Sequence, residues 1–271
     1  MEFTKAHGTG NDFVVVEDLG DHYRLTPELV RAVCDRHFGI GADGLIRIAP
    51  GTDAPFFMDY RNADGSLAEM CGNGVRVVGK YLGDRGYVAG AFDLETRAGV
   101  KHLELHADNR GCIDKVTVDM GAPVLGEERT LEVDGEPVTA LCLSMGNPHA
   151  VLFVEDVDKA PVTTLGPRLE THPAFGTAKT NVEFAQVVDP ATVRQRTWER
   201  GVGETLACGT GACAVAVAAQ VRGLAGHPLA IELRGGRLEL DWDPGGTVRM
   251  TGPAREVAHG TLTDDLLASA R

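Results

Sequence analysis

Two cysteines open matching glycine-rich motifs in this chain of 271 residues. Cys71 begins the segment Cys-Gly-Asn-Gly, and Cys208, which lies 137 residues later, begins Cys-Gly-Thr-Gly. A thiolate is stabilised at a helix N-terminus, and adjacent glycines let backbone N–H groups approach an anion closely. Each motif therefore predicts a sulfur that can exchange a proton, next to a cradle for a carboxylate or a phosphate.

The two motifs belong to a longer internal repeat. The windows of 16 residues that start at Cys71 and Cys208 share the cysteine, two glycines, a valine and a final Arg-Gly. Arg97 and Arg234 are also 137 residues apart, and each is soon followed by Leu-Glu-Leu. A Gly-Asn pair precedes an apolar stretch at 10–11 and again at 146–147. Several matches at nearly one offset predict a duplicated domain.

A duplicated pair of thiols suits one kind of reaction. A stereocentre is inverted when one group removes a proton from carbon and a second group delivers a proton to the opposite face. Two related domains that face each other across a cleft would present two equivalent groups to one carbon. Thiols suit this work because their pKa can be tuned toward the working pH. Cys71 and Cys208 are therefore the candidate acid–base pair.

The elements that must position these cysteines are short strands around a helix in each half. Thr26-Pro27-Glu28 predicts a capped helix that continues to Cys34, and the apolar segment 212–221 predicts a helix buried on all sides. Strands are predicted at Phe13–Val16, Leu45–Ile48, Ala91–Leu94, Leu103–Leu105 and Val116–Val118, and then at Ala150–Val154, Val182–Val188, Ala230–Leu233, Leu238–Leu240 and Val248–Met250.

Composition excludes several classes of protein. The chain is 43% hydrophobic and 24% charged, which is typical of a globular protein with a core. Its net charge of −13, without a cluster of Lys or Arg, argues against binding to nucleic acid or to an anionic membrane. No apolar run approaches the ~20 residues that span a bilayer, and the first residues lack the apolar core of a signal peptide. We therefore expect a cytoplasmic enzyme whose six cysteines are reduced thiols.

The motifs closely resemble those of the diaminopimelate epimerase family over essentially the whole chain. The matching segments are Lys5–Phe13, Gly39–Gly44, Asn62–Ser66, Met70–Arg76, Gly146–His149, Thr180–Glu183, Glu199–Thr205 and Ala207–Gly211. The resemblance implies interconversion of LL- and meso-2,6-diaminopimelate, in lysine and peptidoglycan precursor synthesis. It also implies that the enzyme uses no cofactor (neither pyridoxal phosphate nor a metal) and that it forms a homodimer.

The family's residue roles fall on matching positions of this sequence. Cys71 and Cys208 would be the acid–base pair, and His149 and Glu199 would adjust their ionisation. The residues that would bind substrate are Asn11, Asn62, Gly72, Asn73, Asn147, Asn181, Glu199, Arg200, Gly209 and Thr210. In this set the backbone N–H groups of the two motifs would hold the α-carboxylate, while the guanidinium of Arg200 suits the distal carboxylate because it can bond it bidentately. Many relatives have Gln where this chain has Gly44, so Gly44 is left out of the site.

The resemblance also implies a fold of the α+β type. It has two pseudo-symmetric duplicated domains, each a curved, mostly antiparallel sheet or barrel around a central helix, with the active site in the cleft between them. The expected boundaries are 1–123 and 124–256, and residues 257–271, including the segment 264–270, return to the first domain.

Other features of the sequence suggest alternatives to this function. Residues 39–44 satisfy the dinucleotide-binding pattern G-x-G-x-x-G, but a helix before it and a strand after it are the wrong order. Cys208 and Cys213 lack the second cysteine pair of a zinc site. A thiol redox protein and an amino-acid racemase with another substrate remain the alternatives. A non-catalytic relative would be expected to lack one of the two cysteines.

Most other candidate side chains have a plain structural explanation. We expect the cysteines outside the two motifs to be small buried side chains, namely Cys34, Cys112, Cys142 and Cys213. Each asparagine, taken alone, could be a turn residue, and the remaining histidines, such as His7 and His37, have no predicted role.

Overall fold

The computed structural model describes residues 1–269, and the chain divides into two units. Unit 1 consists of Met1–Val118 and Gly252–Arg271, and unit 2 is Asp119–Thr251. The domain boundaries expected from the family resemblance, after residues 123 and 256, stay a prediction. The end of the predicted C-terminal return, residues 270–271, lies outside the described residues.

Among its described residues, unit 1 contains eight strands and three helices. The strands are β1 (Glu2–Gly8), β2 (Asn11–Glu17), β3 (Gly44–Pro50), β4 (Phe56–Asn62), β5 (Ala91–Thr96), β6 (Gly99–Ala107), β7 (Ile113–Asp119, up to the unit boundary) and β17 (Arg255–Thr261). The helices are α1 (Pro27–Cys34), α2 (Gly72–Asp84) and α5 (Asp264–Ser269).

Unit 2 is built on the same plan. Its strands are β8 (Val124–Val133), β9 (Glu136–Ser144), β10 (Pro148–Phe153), β11 (Asn181–Asp189), β12 (Thr192–Glu199), β13 (Gly203–Thr205), β14 (Leu229–Leu233), β15 (Gly236–Trp242) and β16 (Val248–Pro253, up to the unit boundary). Its helices are α3 (Val162–Glu170), the 3-10 segment Pro173–Ala178 and α4 (Gly209–Val221).

The strand pairing shows the duplication directly. In unit 1 the order is β17-β1-β2-β3-β4-β5-β6-β7, with parallel pairs only at β2/β3 and β4/β5 among the described residues. In unit 2 the order is β8-β9-β10-β11-β12-β14-β15-β16, and the parallel pairs β10/β11 and β12/β14 occupy the same two places. A helix connects each parallel pair, as parallel strands require. The predicted repeat and the mostly antiparallel sheets are confirmed.

The central helix of each unit packs inside its own sheet. Helix α2 contacts β1, β2, β4, β6 and β17, so strands from both ends of the sheet order reach it and the sheet curves around it. Helix α4 contacts strands β9, β10, β11, β12, β14 and β15 in the same way. Its residues 211–219 are all buried, which agrees with the apolar sequence, whereas Val221 at its end is exposed.

The helix boundaries follow from local sequence. Thr26 caps α1 by accepting a hydrogen bond from the N–H of Leu29 at 3.2 Å. Both central helices are 13 residues long, begin after their motif cysteine and end at an Arg followed by glycine. Gly86 and Gly223 have φ of 73° and 65°, a conformation that glycine adopts without steric cost. This explains why Arg-Gly closes both windows of the repeat.

The strand predictions are confirmed, apart from Val154, which lies one residue beyond β10. Strands such as β1, β4, β8 and β9 and helix α3 were not predicted. Helix α3 contains Gly166 and Pro167, which disfavour helix, and it forms because Val162 and Leu169 are buried in the core of unit 2. Within the described part of the chain, no helix is long and apolar enough to cross a bilayer.

Candidate active site

The first candidate cysteine lies at the start of α2 in unit 1. Cys71 is the N-cap residue, with the extended backbone of φ −139° and ψ 114°. Its Sγ donates a hydrogen bond to Oδ1 of Asn11 at 3.4 Å, and Nδ2 of Asn73 donates to the same oxygen at 3.2 Å. The structure therefore brings together three residues that the sequence assigned to the site.

A buried arginine supports this group and was missed by the sequence analysis. The Arg76 side chain is 0% exposed, and its Nη2 donates to Oδ1 of Asn73 at 2.8 Å and to Oγ1 of Thr9 at 3.2 Å. Because the guanidinium only donates, it fixes the amide of Asn73 with its nitrogen toward Asn11. Arg76 lies in the matched segment Met70–Arg76. A charged residue on a helix that is predicted to lie inside the sheet could have indicated a buried role for Arg76.

Asn62 has the local contacts of a turn residue. Its Nδ2 donates to Oγ of Ser66 at 3.0 Å, and its backbone N–H donates to the carbonyl of Ser66 at 3.0 Å. These bonds close the turn after β4, so the contacts of Asn62 agree with the expectation that an asparagine can be a turn residue. Its role toward substrate stays a prediction.

The second candidate cysteine lies at the start of α4 in unit 2. Cys208 is buried and is the N-cap residue, and its Sγ accepts a hydrogen bond from the N–H of Gly211 at 3.4 Å. Oγ1 of Thr210 lies 3.6 Å from the sulfur, and Nδ2 of Asn147 donates to Oγ1 of Thr210 at 3.3 Å. Three sequence-assigned residues again converge.

A carboxylic acid lies against the Cys208 sulfur. Glu199, at the end of β12, accepts hydrogen bonds from the hydroxyl of Thr205 and from Cys208. Burial raises the pKa of the Glu199 carboxyl above its ordinary value. Burial, followed by the negative charges of Glu199 and Glu183, raises the pKa of the Cys208 thiol well above its ordinary value. Burial and the two carboxylates therefore oppose the stabilisation of the Cys208 thiolate that is expected from the helix start.

His149 occupies the interior of unit 2 between two polar partners. Its Nδ1 lies 2.8 Å from Oε1 of Glu183, and its Nε2 lies 3.0 Å from Oδ1 of Asn147. The side chains of His149 and Glu183 are both 0% exposed. Glu183 lies in the matched segment Thr180–Glu183 but was not predicted to belong to the site. A glutamate within a strand of otherwise apolar residues could have indicated that Glu183 has a functional role.

Asn181 and Arg200 lie together through the backbone. Nδ2 of Asn181 donates to the carbonyl of Pro148 at 3.0 Å, and its Oδ1 accepts from the N–H of Arg200 at 2.9 Å. The guanidinium of Arg200 is exposed and donates to the carbonyl of Ala178 at 2.6 Å. Asn181 thus fixes the chain at Arg200, whose charged end lies at the surface.

The cysteines outside the motifs differ in burial. Cys34 and Cys213 are in the core, and burial raises the pKa of Cys34 to about 12. Cys142 is half-buried, whereas Cys112 is exposed, so the expectation that Cys112 is buried is wrong. Gly44 pairs with Asn62 between β3 and β4, and a Cβ there would lie 2.5 Å from the carbonyl oxygen of Arg61.

Comparison with known proteins agrees with this geometry. The family model "Diaminopimelate epimerase" matches residues 3–126 and 141–257. The diaminopimelate epimerase of Leptospira biflexa is 46% identical over 97% of this chain and 99% of the relative. That of Pelotomaculum thermopropionicum is 47% identical over 96% of this chain and 98% of the relative.

A solved structure extends the similarity to the fold. A probable proline racemase from Agrobacterium radiobacter matches with a TM-score of 0.75 at 17% identity, over 97% of this chain and 93% of that chain. At this identity the match concerns the fold alone, which is a mixed α+β fold with duplicated domains. The family match covers both motif cysteines and most of the chain. This chain belongs to the diaminopimelate epimerase family, whose members are isomerases.

Proposed function

We propose that this enzyme interconverts LL- and meso-2,6-diaminopimelate, with Cys71 and Cys208 as the groups that move the α-hydrogen. The observation that carries the proposal is that the two family motifs place one cysteine at the N-cap of the central helix of each unit. In the reaction, the thiolate of one cysteine removes the hydrogen from the α-carbon. The thiol of the other cysteine then delivers a proton to the opposite face, so the two sulfurs exchange protonation states.

The surroundings of Cys208 support a role for it as a proton donor. Its raised pKa keeps the sulfur protonated near neutral pH, which is the form that can deliver a proton. When Cys208 has lost that proton, the N–H of Gly211 and the helix start stabilise the thiolate. His149 and Glu199 then set the balance between the two forms, as the family resemblance implies.

The helix starts support binding of the substrate's α-carboxylate. The first N–H groups of a helix lie outside its own hydrogen-bond ladder and commonly bind anions, and Gly72, Asn73, Gly209 and Thr210 stand at these positions. The proposed contacts to the distal amino and carboxylate groups come from Asn62, Asn147, Asn181 and Arg200, and Asn11 is a further proposed contact. The guanidinium of Arg200 lies at the surface, where it can bind a carboxylate that enters from solvent.

Isotope exchange and stereochemistry test the proposed function. The purified protein, with reductant and without added cofactor, should convert LL-diaminopimelate to the meso form in D2O and incorporate deuterium at the α-carbon. Cys71→Ala and Cys208→Ala should each abolish epimerisation, because a single acid–base group cannot reprotonate the opposite face. Near wild-type rates in either variant, equal turnover of a mono-amino acid, or loss of activity on removal of pyridoxal phosphate would contradict the proposal.

The proposal extends to the assembly and location of the enzyme. On the family resemblance, it acts as a homodimer in the cytoplasm. Light scattering of the purified chain should give twice the mass of 28.8 kDa.

A further inference from the structure

Glu183 is a buried carboxylate. Neither the family resemblance nor the proposed reaction assigns a role to it. It lies on β11, which pairs in parallel with β10 so that His149 stands opposite Asn181. Glu183 follows Asn181 by two residues, so its side chain points to the same face of the sheet. Its Oε1 lies 2.8 Å from Nδ1 of His149. A carboxylate accepts hydrogen bonds and cannot donate them, so Nδ1 of His149 carries a proton in this pair.

From His149 a chain of contacts leads to the Cys208 sulfur. Nε2 of His149 lies 3.0 Å from Oδ1 of Asn147, whose Nδ2 donates to Oγ1 of Thr210 at 3.3 Å. Oγ1 of Thr210 lies 3.6 Å from Sγ of Cys208. Because Nδ1 is bonded to Glu183, only Nε2 of the His149 ring can contact Asn147 in this series of contacts.

Glu183 also lies against the first turn of α4. A Cβ on Gly211 would lie 2.8 Å from Oε1 of Glu183 and 3.2 Å from Sγ of Cys208. The glycine therefore permits the carboxylate and the sulfur to share the helix start. The positive end of the helix dipole stabilises a buried negative charge there.

The burial of Glu183 makes its contact with His149 important. Its Oε2 is buried and makes no hydrogen bond within the described residues. Burying a carboxylate oxygen in this way is costly unless a cation lies nearby. Glu199 on β12 also interacts electrostatically with the His149 ring. The hydrogen bond with Nδ1 of His149 is the contact that compensates for the burial of Glu183.

We propose that Glu183 is a positioning residue that holds the His149 ring protonated at Nδ1, and so fixes the Asn147–Thr210 contacts beside Cys208. The inference rests on the proposed function for its effect on turnover, but its structural content concerns only unit 2. It acts through His149 and has no contact with substrate.

The test combines Glu183→Gln with Glu183→Asp. Gln keeps the size and the acceptor of Glu183 but removes its charge, whereas Asp keeps the charge on a side chain that is one methylene shorter. By analogy with the loss of hydrogen-bond partners of metal-binding histidines, we expect Glu183→Gln to lower kcat by about 10- to 100-fold, with KM changed by less than about threefold. Glu183→Asp should retain more activity than Glu183→Gln.

Nitrogen-15 NMR of the His149 ring supplies a readout that does not depend on turnover. In the wild type the nitrogen-15 shifts should show a proton on Nδ1, whereas Glu183→Gln should give a mixture of the two ring tautomers, because an amide can donate to Nδ1 as well as accept from it. Glu170→Gln is the matched control, since Glu170 is another buried carboxylate of unit 2 but binds Trp198, Gly201 and Lys179. This control should leave the His149 tautomer unchanged.

The possible outcomes separate the two proposals. If the wild type does not exchange the α-hydrogen while Glu183→Gln changes the tautomer of His149, the proposed function fails and the role of Glu183 stands. If Glu183→Gln and Glu183→Asp lower kcat equally and the tautomer of His149 stays the same, Glu183 is only a structural residue and the inference is overturned.

Discussion

The N–H of Gly211 donates a hydrogen bond to the sulfur of Cys208 at 3.4 Å, so this cysteine caps the helix that it begins. Cys71 occupies the same place in unit 1, but its sulfur donates to the side chain of Asn11. Both motif cysteines are thus N-cap residues of a central helix, but their sulfurs have different hydrogen-bond partners.

The cap predicts a stability difference between two substitutions of Cys208. Cys208→Ala removes the acceptor for the Gly211 N–H and should lower the free energy of unfolding by about 1 kcal/mol. Cys208→Ser keeps an acceptor of a preferred capping type and should remain within about 0.5 kcal/mol of the wild type. Urea unfolding of both variants measures the difference, and equal stability of Ala and Ser would show that the sulfur does not cap α4.

The carboxyl group of Glu199 predicts the pH at which Cys208 reacts. Since burial and then the charge of Glu199 raise the pKa of the Cys208 thiol, Glu199→Gln should lower that pKa. The rate of iodoacetamide alkylation at Cys208 should then rise at a lower pH than in the wild type. Mass spectrometry of the peptide that contains Cys208 measures the rate, and the peptide that contains the exposed Cys112 is an internal control. An unchanged pH profile would show that the carboxylate does not act on the thiol.

The buried guanidinium of Arg76 predicts a large loss of stability. Arg76→Met keeps much of the side-chain volume but leaves Oδ1 of Asn73 and Oγ1 of Thr9 without this donor. The expected cost is about 2–4 kcal/mol, since each buried acceptor that loses its donor costs about 1–3 kcal/mol.

Arg31→Met is the control for Arg76→Met, because the Arg31 side chain is 51% exposed and pairs with Glu28 on the helix surface. It should change stability by no more than about 0.5 kcal/mol. Similar unfolding midpoints for the two variants would mean that Arg76 does not support the Asn73–Asn11–Cys71 group.

The sequence alone determined the features that are local or repeated. The offset between Cys71 and Cys208 predicted the duplication, and the Thr26 cap, the apolar run of α4 and most of the strands followed from patterns within a few residues. Such features can be predicted because caps, glycine turns and alternation depend on near neighbours along the chain.

Only the tertiary structure decided what surrounds each sulfur. Glu183 reaches His149 through the register of the parallel pair β10/β11, and parallel partners are joined by a long connection that sequence periodicity does not specify. The raised pKa of Cys208 likewise depends on burial and on Glu199 and Glu183, which come from two other strands. A sequence motif therefore predicts which atom reacts. The electrostatic interactions that set the protonation of that atom come from residues that folding brings close to it.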